Sequence, residues 1–203
     1  MFKIAVLASG SGSNLQSIMD KIDDGYLNCS IECVIGDRPG IFALERAKNK
    51  GIKTYTVDRR EYRGKLSDKI LEILGDRVDL IVLAGFLSIL NGEILKKYKN
   101  RIINIHPSLI PSFCGKNMHG LKVHEAAINY GVKVSGCTVH FVDEGTDTGA
   151  IIIQKTVPVL DDDTPEMLQK RILVKEHEAL PDAIKIISEG LIKIDGRKVT
   201  GGM

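Results

Sequence analysis

The chain alternates between short, almost wholly apolar runs and longer stretches in which apolar residues recur every three or four positions. Five such runs fill the first half: FKIAVLAS (Phe2–Ser9), SIECVIG (Ser30–Gly36), IKTYTV (Ile52–Val57), DLIVLAG (Asp79–Gly85) and RIINI (Arg101–Ile105). Their length and β-branched content predict strands, and their near-continuous apolar character predicts burial on both faces. Between them, Leu15, Ile18, Met19 and Ile22, and later Leu66, Ile70, Ile73 and Leu74, fall at helical spacing. This alternation predicts an α/β fold with an open, mostly parallel, twisted sheet and helices on both faces, Rossmann-like in outline.

The second half changes pattern. VSGCTVHFVD (Val134–Asp143) and AIIIQKTVPV (Ala150–Val159), joined by EGTDTG (Glu144–Gly149), predict antiparallel edge strands. Thr164 followed by Pro165 reads as an N-cap and first helical position opening a long helix, which Pro181 is expected to kink or divide. LIKIDGRKV (Leu191–Val199) predicts a C-terminal hairpin turning on Asp195–Gly196. No repeat, low-complexity segment or linker interrupts the chain, so one domain over residues 1–203 is expected.

Composition narrows the function classes. The chain has 203 residues, 43% hydrophobic and 27% charged, with a formal net charge of +2. That balance offers no basic excess for nucleic acid or an acidic membrane surface. No apolar run reaches the length of a membrane span, and MFKIAVLASGSGS lacks the long apolar region of a signal peptide. The four cysteines, Cys29, Cys33, Cys114 and Cys137, include no CxxC pair and read as reduced thiols of a cytoplasmic protein. Cys29 and Cys33 fall in or beside a predicted strand, and no metal is expected.

Two stretches carry candidate chemistry. LASGSGSNLQSIMD (Leu7–Asp20) places Gly10 and Gly12 between the first strand and the first helix, where backbone N–H groups and the helix N-terminus favour an anion, with Ser11, Ser13 and Asn14 as further donors. A dinucleotide fingerprint would need a third glycine where Leu15 stands, although Asp37 could serve as a ribose-binding acid. A lone phosphate suits the loop better. The other stretch is RIINIHPSLIPSF (Arg101–Phe113), in which Asn104 and His106 share one strand face and Pro107 ends the strand. Both stand at the carboxyl end of a strand, the edge where open α/β sheets bind ligands, and together they can donate hydrogen bonds to a developing oxyanion. Asp143, Glu144 and Asp147 follow another strand, and a carboxylate beside His106 would favour its imidazolium form. Spacing does not choose among the three acids.

Taken together, SGSGSNLQ, VLAGFLSIL, NIHPSLIPSF and GCTVHFVDEGTDTG resemble the glycinamide ribonucleotide formyltransferases, the folate-dependent enzymes of purine biosynthesis, in order over nearly the whole chain. The resemblance implies a single formyltransferase domain, residues 1–100 forming the phosphate-binding half and 101–203 the catalytic and folate-binding half. It matches Asn104, His106 and Asp147 to the catalytic asparagine, histidine and aspartate, and thereby chooses Asp147 among the acids. Gly12, Ser13 and Asn14 match the loop that holds the ribonucleotide phosphate, while Arg63 and Glu176 match substrate-binding residues. Leu87, Ile89 and Leu90, with Val142 and Asp143, match the folate pocket. Ser88 departs from the arginine or lysine of many relatives, and Cys114–His124 is longer than in some of them. His119 and His124 in that segment read either as substrate contacts or as loop and helix residues.

The implied reaction moves the formyl group of 10-formyltetrahydrofolate, as co-substrate, to the amine of 5'-phosphoribosylglycinamide on the route to IMP. Asn104 and protonated His106 would stabilise the oxyanion, and His106 with a water held by Asp147 would relay protons. Partners are then small molecules alone, without nucleic acid, membrane or metal, in a cytoplasmic monomer or homodimer. The alternatives are hydrolysis of 10-formyltetrahydrofolate at the same site, or a nucleotide- or NAD-binding Rossmann-like protein.

Overall fold

The structure is a computed structural model that describes residues 1–202. Its elements run β1 (Phe2–Ala8), α1 (Ser13–Asp23), β2 (Cys29–Gly36), α2 (Phe42–Asn49), β3 (Thr54–Thr56), α3 (Leu66–Leu74), β4 (Leu80–Leu83), α4 (Glu93–Lys97) and β5 (Ile102–His106). Then follow α5 (Leu121–Tyr130), β6 (Val134–Phe141), β7 (Ile151–Pro158), α6 (Pro165–Ser188), β8 (Ile192–Asp195) and β9 (Lys198–Gly201). Seven strands form one sheet in the order β3-β2-β1-β4-β5-β6-β7, and β8 and β9 pair separately. β1 lies parallel to β2 and β4, β2 to β3, and β4 to β5, whereas β6 and β7 are antiparallel. This is the mostly parallel α/β architecture that the alternation of runs predicts. β5 reaches one residue further than its apolar run and takes in His106.

The chain forms two compact units, Met1–Asn104 and the part from Ile105 onward. In the first, Ile4 to Ala8 are wholly buried in succession, as a strand covered on both faces requires. α1 buries Leu15, Ile18 and Met19, and α3 buries Leu66, Ile70 and Leu74, the helical spacing read from the sequence. Tyr98, 1% exposed, donates its hydroxyl to the Gly75 carbonyl at 2.9 Å and so satisfies the polar end of a buried ring.

In the second unit, α6 opens as expected: Thr164 Oγ1 accepts the Met167 N–H at 3.3 Å and Pro165 takes the first turn. Pro181 does not divide the helix, which runs unbroken over 24 residues. A proline inside a helix costs about 3 kcal/mol. Ala179, Leu180, Ala183 and Ile184 are wholly buried around it, and each fully buried Leu or Ile returns about 1.5–3 kcal/mol. The hairpin turns one residue later than expected. Asp195 pairs with Lys198, so Gly196 and Arg197 form the turn, and Gly196 takes the left-handed φ of 56° that its first position needs. Among the described residues no helix is long and apolar enough to cross a membrane.

Candidate active site

The loop from β1 to α1 is shaped by Gly12. Its φ is 73°, and a Cβ there would lie 2.7 Å from Cα of Ala43, so only glycine fits both the turn and the packing against α2. Gly12 is also the N-cap of α1, and no side chain caps that end. First-turn N–H groups in this arrangement are disposed toward an anion. α2 braces the loop from outside. The Ala43 N–H donates to the Gly10 carbonyl at 3.1 Å, and Arg46 donates through Nε to the Ser11 carbonyl at 2.9 Å. Ser13 is half-buried and Asn14 buried.

Leu87, Ile89 and Leu90 follow β4. Leu87 and Ile89 expose 49% and 69% of their surface, whereas Leu90 is buried and could offer a ligand only its backbone. Ser88 donates its hydroxyl to Asp37 Oδ2 at 2.7 Å. That carboxylate is fully covered, with Arg59 Nη1 3.6 Å away. Asp37 therefore presents no oxygen at the surface to a ribose. Arg63 is exposed in the turn that precedes α3.

At the end of β5, Asn104 is half-buried and His106 buried, two residues apart on the strand. The chain beyond His106 is pinned to β6. Thr138 Oγ1 donates to the Ser108 carbonyl at 2.6 Å and accepts the Ile110 N–H at 3.1 Å. From β7, Gln154 donates to the Ile110 carbonyl at 3.0 Å. The pinned segment then returns to the histidine: His106 Nε2 donates to the Phe113 carbonyl at 3.0 Å. Its other nitrogen, Nδ1, lies 3.6 Å from Asp147 Oδ2. The same oxygen accepts the Gly115 N–H at 2.9 Å. Asp147 Oδ1 is 3.6 Å from Nε2 of His140, whose Nδ1 donates to the Phe141 carbonyl at 2.8 Å.

Of the three acids after β6, it is Asp147 that the structure brings to His106. Asp143 holds the turn, its Oδ1 accepting from the Gly145 N–H and the Thr148 hydroxyl at 3.1 and 2.6 Å. Glu144 is exposed. Asp147 adopts a φ of 57°, an uncommon left-handed backbone for a residue other than glycine, and the turn that imposes it aims the carboxylate at the two histidines. Val142 is half-buried beside this turn, and Glu176 is half-buried on α6.

The Asp147 carboxylate favours the imidazolium as expected, but the balance of charges does not give the protonated resting His106 that the resemblance implied. Burial pushes the His106 pKa down, and outweighs the upward pull of the Phe113 carbonyl and the Asp147 carboxylate. Burial alone would raise the pKa of Asp147, but the nearby His140, the hydrogen bond from the Gly115 N–H and the nearby His106 hold it below the usual carboxylate range. The resting pair is thus a neutral imidazole facing an anionic carboxylate. His124, on α5, is 1% exposed, and its pKa is pushed down to about 4 by burial and by His106. His119 is exposed. Of those two histidines, then, it is His124 that lies within electrostatic reach of His106.

Sequence reasoning did not single out His140, although it carries the signal that marked Asn104 and His106, a polar residue inside a buried strand run. The parts played by the Phe113 carbonyl and the Gly115 N–H had no signal, since they are backbone groups. Burial raises the thiols of Cys29 and Cys33 to about 11 and that of Cys137 to about 12, leaving them inert. Among the described residues no group of three or more His, Cys, Asp or Glu is arranged to hold a metal ion.

Comparison with known proteins places these features. The chain is 40% identical over 197 residues to the trifunctional purine biosynthetic protein adenosine-3 of Gallus gallus, an alignment covering 95% of this chain and 19% of that protein. The chain thus spans a minor part of such trifunctional relatives, 14% in that of Drosophila melanogaster. It is 37% identical over 195 residues to the chloroplastic phosphoribosylglycinamide formyltransferase of Arabidopsis thaliana, covering 94% of this chain and 67% of that one. The crystal structure of glycinamide ribonucleotide transformylase 1 from Symbiobacterium toebii superposes with a TM-score of 0.93 at 44% identity, covering 99% of this chain and 94% of that one. The profile of the Formyl transferase family matches residues 2–184, and on that extent of agreement the chain belongs to the formyl transferase family.

Proposed function

We propose that this chain transfers the formyl group of 10-formyltetrahydrofolate to the amine of 5'-phosphoribosylglycinamide, a step of de novo purine biosynthesis. The observation that carries the reading is the His106–Asp147 pair, held 3.6 Å apart at the end of β5 by backbone groups of one short segment. Relatives named for this activity support the choice of substrates. In this reading the chain acts as a single formyltransferase domain, on small molecules in the cytoplasm.

Gly12, Ser13 and Asn14 hold the ribonucleotide phosphate, and Arg63 and Glu176 the rest of that substrate. Leu87 and Ile89, with backbone at Leu90, Val142 and Asp143, hold the folate. The substrate amine attacks the formyl carbon as a free base, and a C–N bond forms while negative charge gathers on the formyl oxygen. The Asn104 amide donates to that oxygen. His106 is neutral and its Nε2–H is committed to the Phe113 carbonyl, so Nδ1 is the nitrogen open to a proton. Directly or through a water, Nδ1 takes the proton from the attacking nitrogen, and the imidazolium so formed faces the Asp147 carboxylate. Collapse of the intermediate breaks the bond from the formyl carbon to N10, and a proton returns to N10. The amine has gained a formyl group and lost one proton, N10 has lost the formyl group and gained one, and no covalent enzyme intermediate is required.

The test mixes purified protein with 5'-phosphoribosylglycinamide and 10-formyltetrahydrofolate and follows tetrahydrofolate by absorbance. Turnover that needs both substrates is the expected result. Formate released without the ribonucleotide would replace the transferase with a hydrolase, and no turnover of either kind would overturn the proposal.

A further inference from the structure

We propose that Asp37 is a positioning residue for the folate co-substrate, acting through Ser88 on the loop that follows β4. The inference rests on the function proposed above and assigns a task to two residues which that function leaves unused. The segment Gly85–Leu90 has no regular structure, and it presents Leu87 and Ile89, two of the large apolar side chains left exposed on this chain. A loop of this kind keeps one shape only if its polar groups are tied to something rigid.

Beside the Gly85 carbonyl, which accepts the Ser9 N–H at 3.0 Å where the segment begins, two further ties are present, and both end on buried residues at strand termini. The Leu87 N–H donates to Ser9 Oγ at 2.8 Å, and Ser9, just past β1, is 1% exposed. The Ser88 hydroxyl donates to Asp37 Oδ2 at 2.7 Å, and Asp37, just past β2, is also 1% exposed. The second tie is the stronger kind, a short hydrogen bond to an anion. It fixes residue 88, and so the direction in which Leu87 and Ile89 project on either side of it.

The surroundings of Asp37 show why the carboxylate depends on this serine. Arg59 Nη1 stands 3.6 Å from the same Oδ2, beyond hydrogen-bond length, while the Arg59 N–H donates to the Asp37 carbonyl at 2.9 Å. The other carboxylate oxygen, Oδ1, is buried and accepts no hydrogen bond among the described residues. A buried anion this sparsely satisfied is costly, so it holds its hydroxyl donor firmly. Ser88 spends its donor inward and presents no charge outward; Leu87 and Ile89 are left to engage the apolar ring system of the folate.

The test is a KM-against-kcat comparison of Ser88→Ala, Asp37→Ala, the double variant and Ser88→Thr. Each of the first two raises KM for 10-formyltetrahydrofolate about tenfold, the loss expected for one hydrogen bond to a charged group. KM for the ribonucleotide and kcat stay within about twofold of wild type, because the groups that touch the reacting atoms are unchanged. The double variant matches the singles, since both cut one tie. Ser88→Thr keeps the hydroxyl and restores KM. Amide exchange across residues 85–90 quickens in the first three proteins and not in the fourth. An active wild type whose Ser88→Ala variant keeps its folate KM would overturn the positioning role alone. So would a double variant that multiplies the two single effects. A wild type without folate turnover would overturn the function and this role together, while the exchange data would still read the tie itself.

Discussion

His106 Nδ1 faces Asp147 Oδ2 at 3.6 Å, and a single three-residue segment fixes both partners. The Phe113 carbonyl holds the far nitrogen of the imidazole, and the Gly115 N–H holds the facing carboxylate oxygen. Neither side chain can turn without giving up a backbone hydrogen bond in a mostly buried place. The geometry thereby commits Nε2–H to the protein and leaves Nδ1 for chemistry, which is the tautomer a proton relay facing a carboxylate requires.

Removing either partner costs activity, and His106→Ala costs stability as well because it orphans the Phe113 carbonyl. His106→Ala and Asp147→Asn lower kcat by about 10²–10⁴, the range for loss of a positioned proton-transfer group. Steady-state assays beside thermal melts check this, and near-normal rates from either folded variant would remove the pair from the mechanism.

The pH dependence follows from the direction of the His106 shift. Burial lowers its pKa beneath the ordinary value, so the neutral base persists at pH 7, and kcat declines only as the medium becomes more acidic than that lowered value. Asp147 opposes the shift by stabilising the imidazolium. In Asp147→Asn that support is gone, the His106 pKa drops further, and the acid limb of the residual activity moves to lower pH. A pH–rate profile of both proteins reads the displacement. Movement to higher pH would mean that another group controls the limb.

His124 links the same region to acid stability. It is buried, its Nδ1 accepts or donates no hydrogen bond among the described residues, and its pKa falls from 6.5 to about 4. The unfolded chain binds a proton on this side chain below pH 6.5 and the folded chain does not, so stability declines from there until about pH 4. The loss amounts to about 3 kcal/mol at 1.36 kcal/mol per unit. His124→Leu removes this contribution, and its urea-unfolding free energy falls by that much less than wild type between pH 7 and pH 4. Parallel losses in the two proteins would refute it.

The strands and most helices were legible because burial on both faces writes itself as apolar runs, as in β1, and burial on one face as helical spacing, as in α1. Gly12 was legible in kind, since a glycine between strand and helix announces a turn; its contact with Ala43 was not, because α2 is distant in sequence. Asn104 and His106 stood out as polar residues in a buried run. The meeting of Asp147 with His106 depends on a left-handed turn 41 positions later (147 against 106), which spacing cannot locate. Pro181 does not divide its helix because the packing on either side of it, which a local rule ignores, holds the two parts together. Ser88 and Asp37 are 51 positions apart, and no local pattern joins them.

Thr138 is where the segment carrying the Phe113 carbonyl and the Gly115 N–H is anchored. Its hydroxyl is wholly buried, donates to the Ser108 carbonyl and accepts from the Ile110 N–H and from Gln154 Nε2. Valine has nearly the same shape, so Thr138→Val leaves the packing intact and orphans the Ser108 carbonyl and the Ile110 N–H. An orphaned buried group costs about 1–3 kcal/mol, so with two of them the variant is less stable by about 2–6 kcal/mol. Activity falls as well, because displacement of the Phe113–Gly115 segment loosens both His106 and Asp147. Gln154→Leu, at a more exposed position on β7, orphans only the Ile110 carbonyl and costs less, about 1 kcal/mol. Denaturant unfolding with kcat measured on the same samples separates the outcomes. A Thr138→Val protein as stable as wild type would show that the segment is anchored elsewhere. One destabilised but fully active would show that the anchor does not bear on the His106–Asp147 geometry.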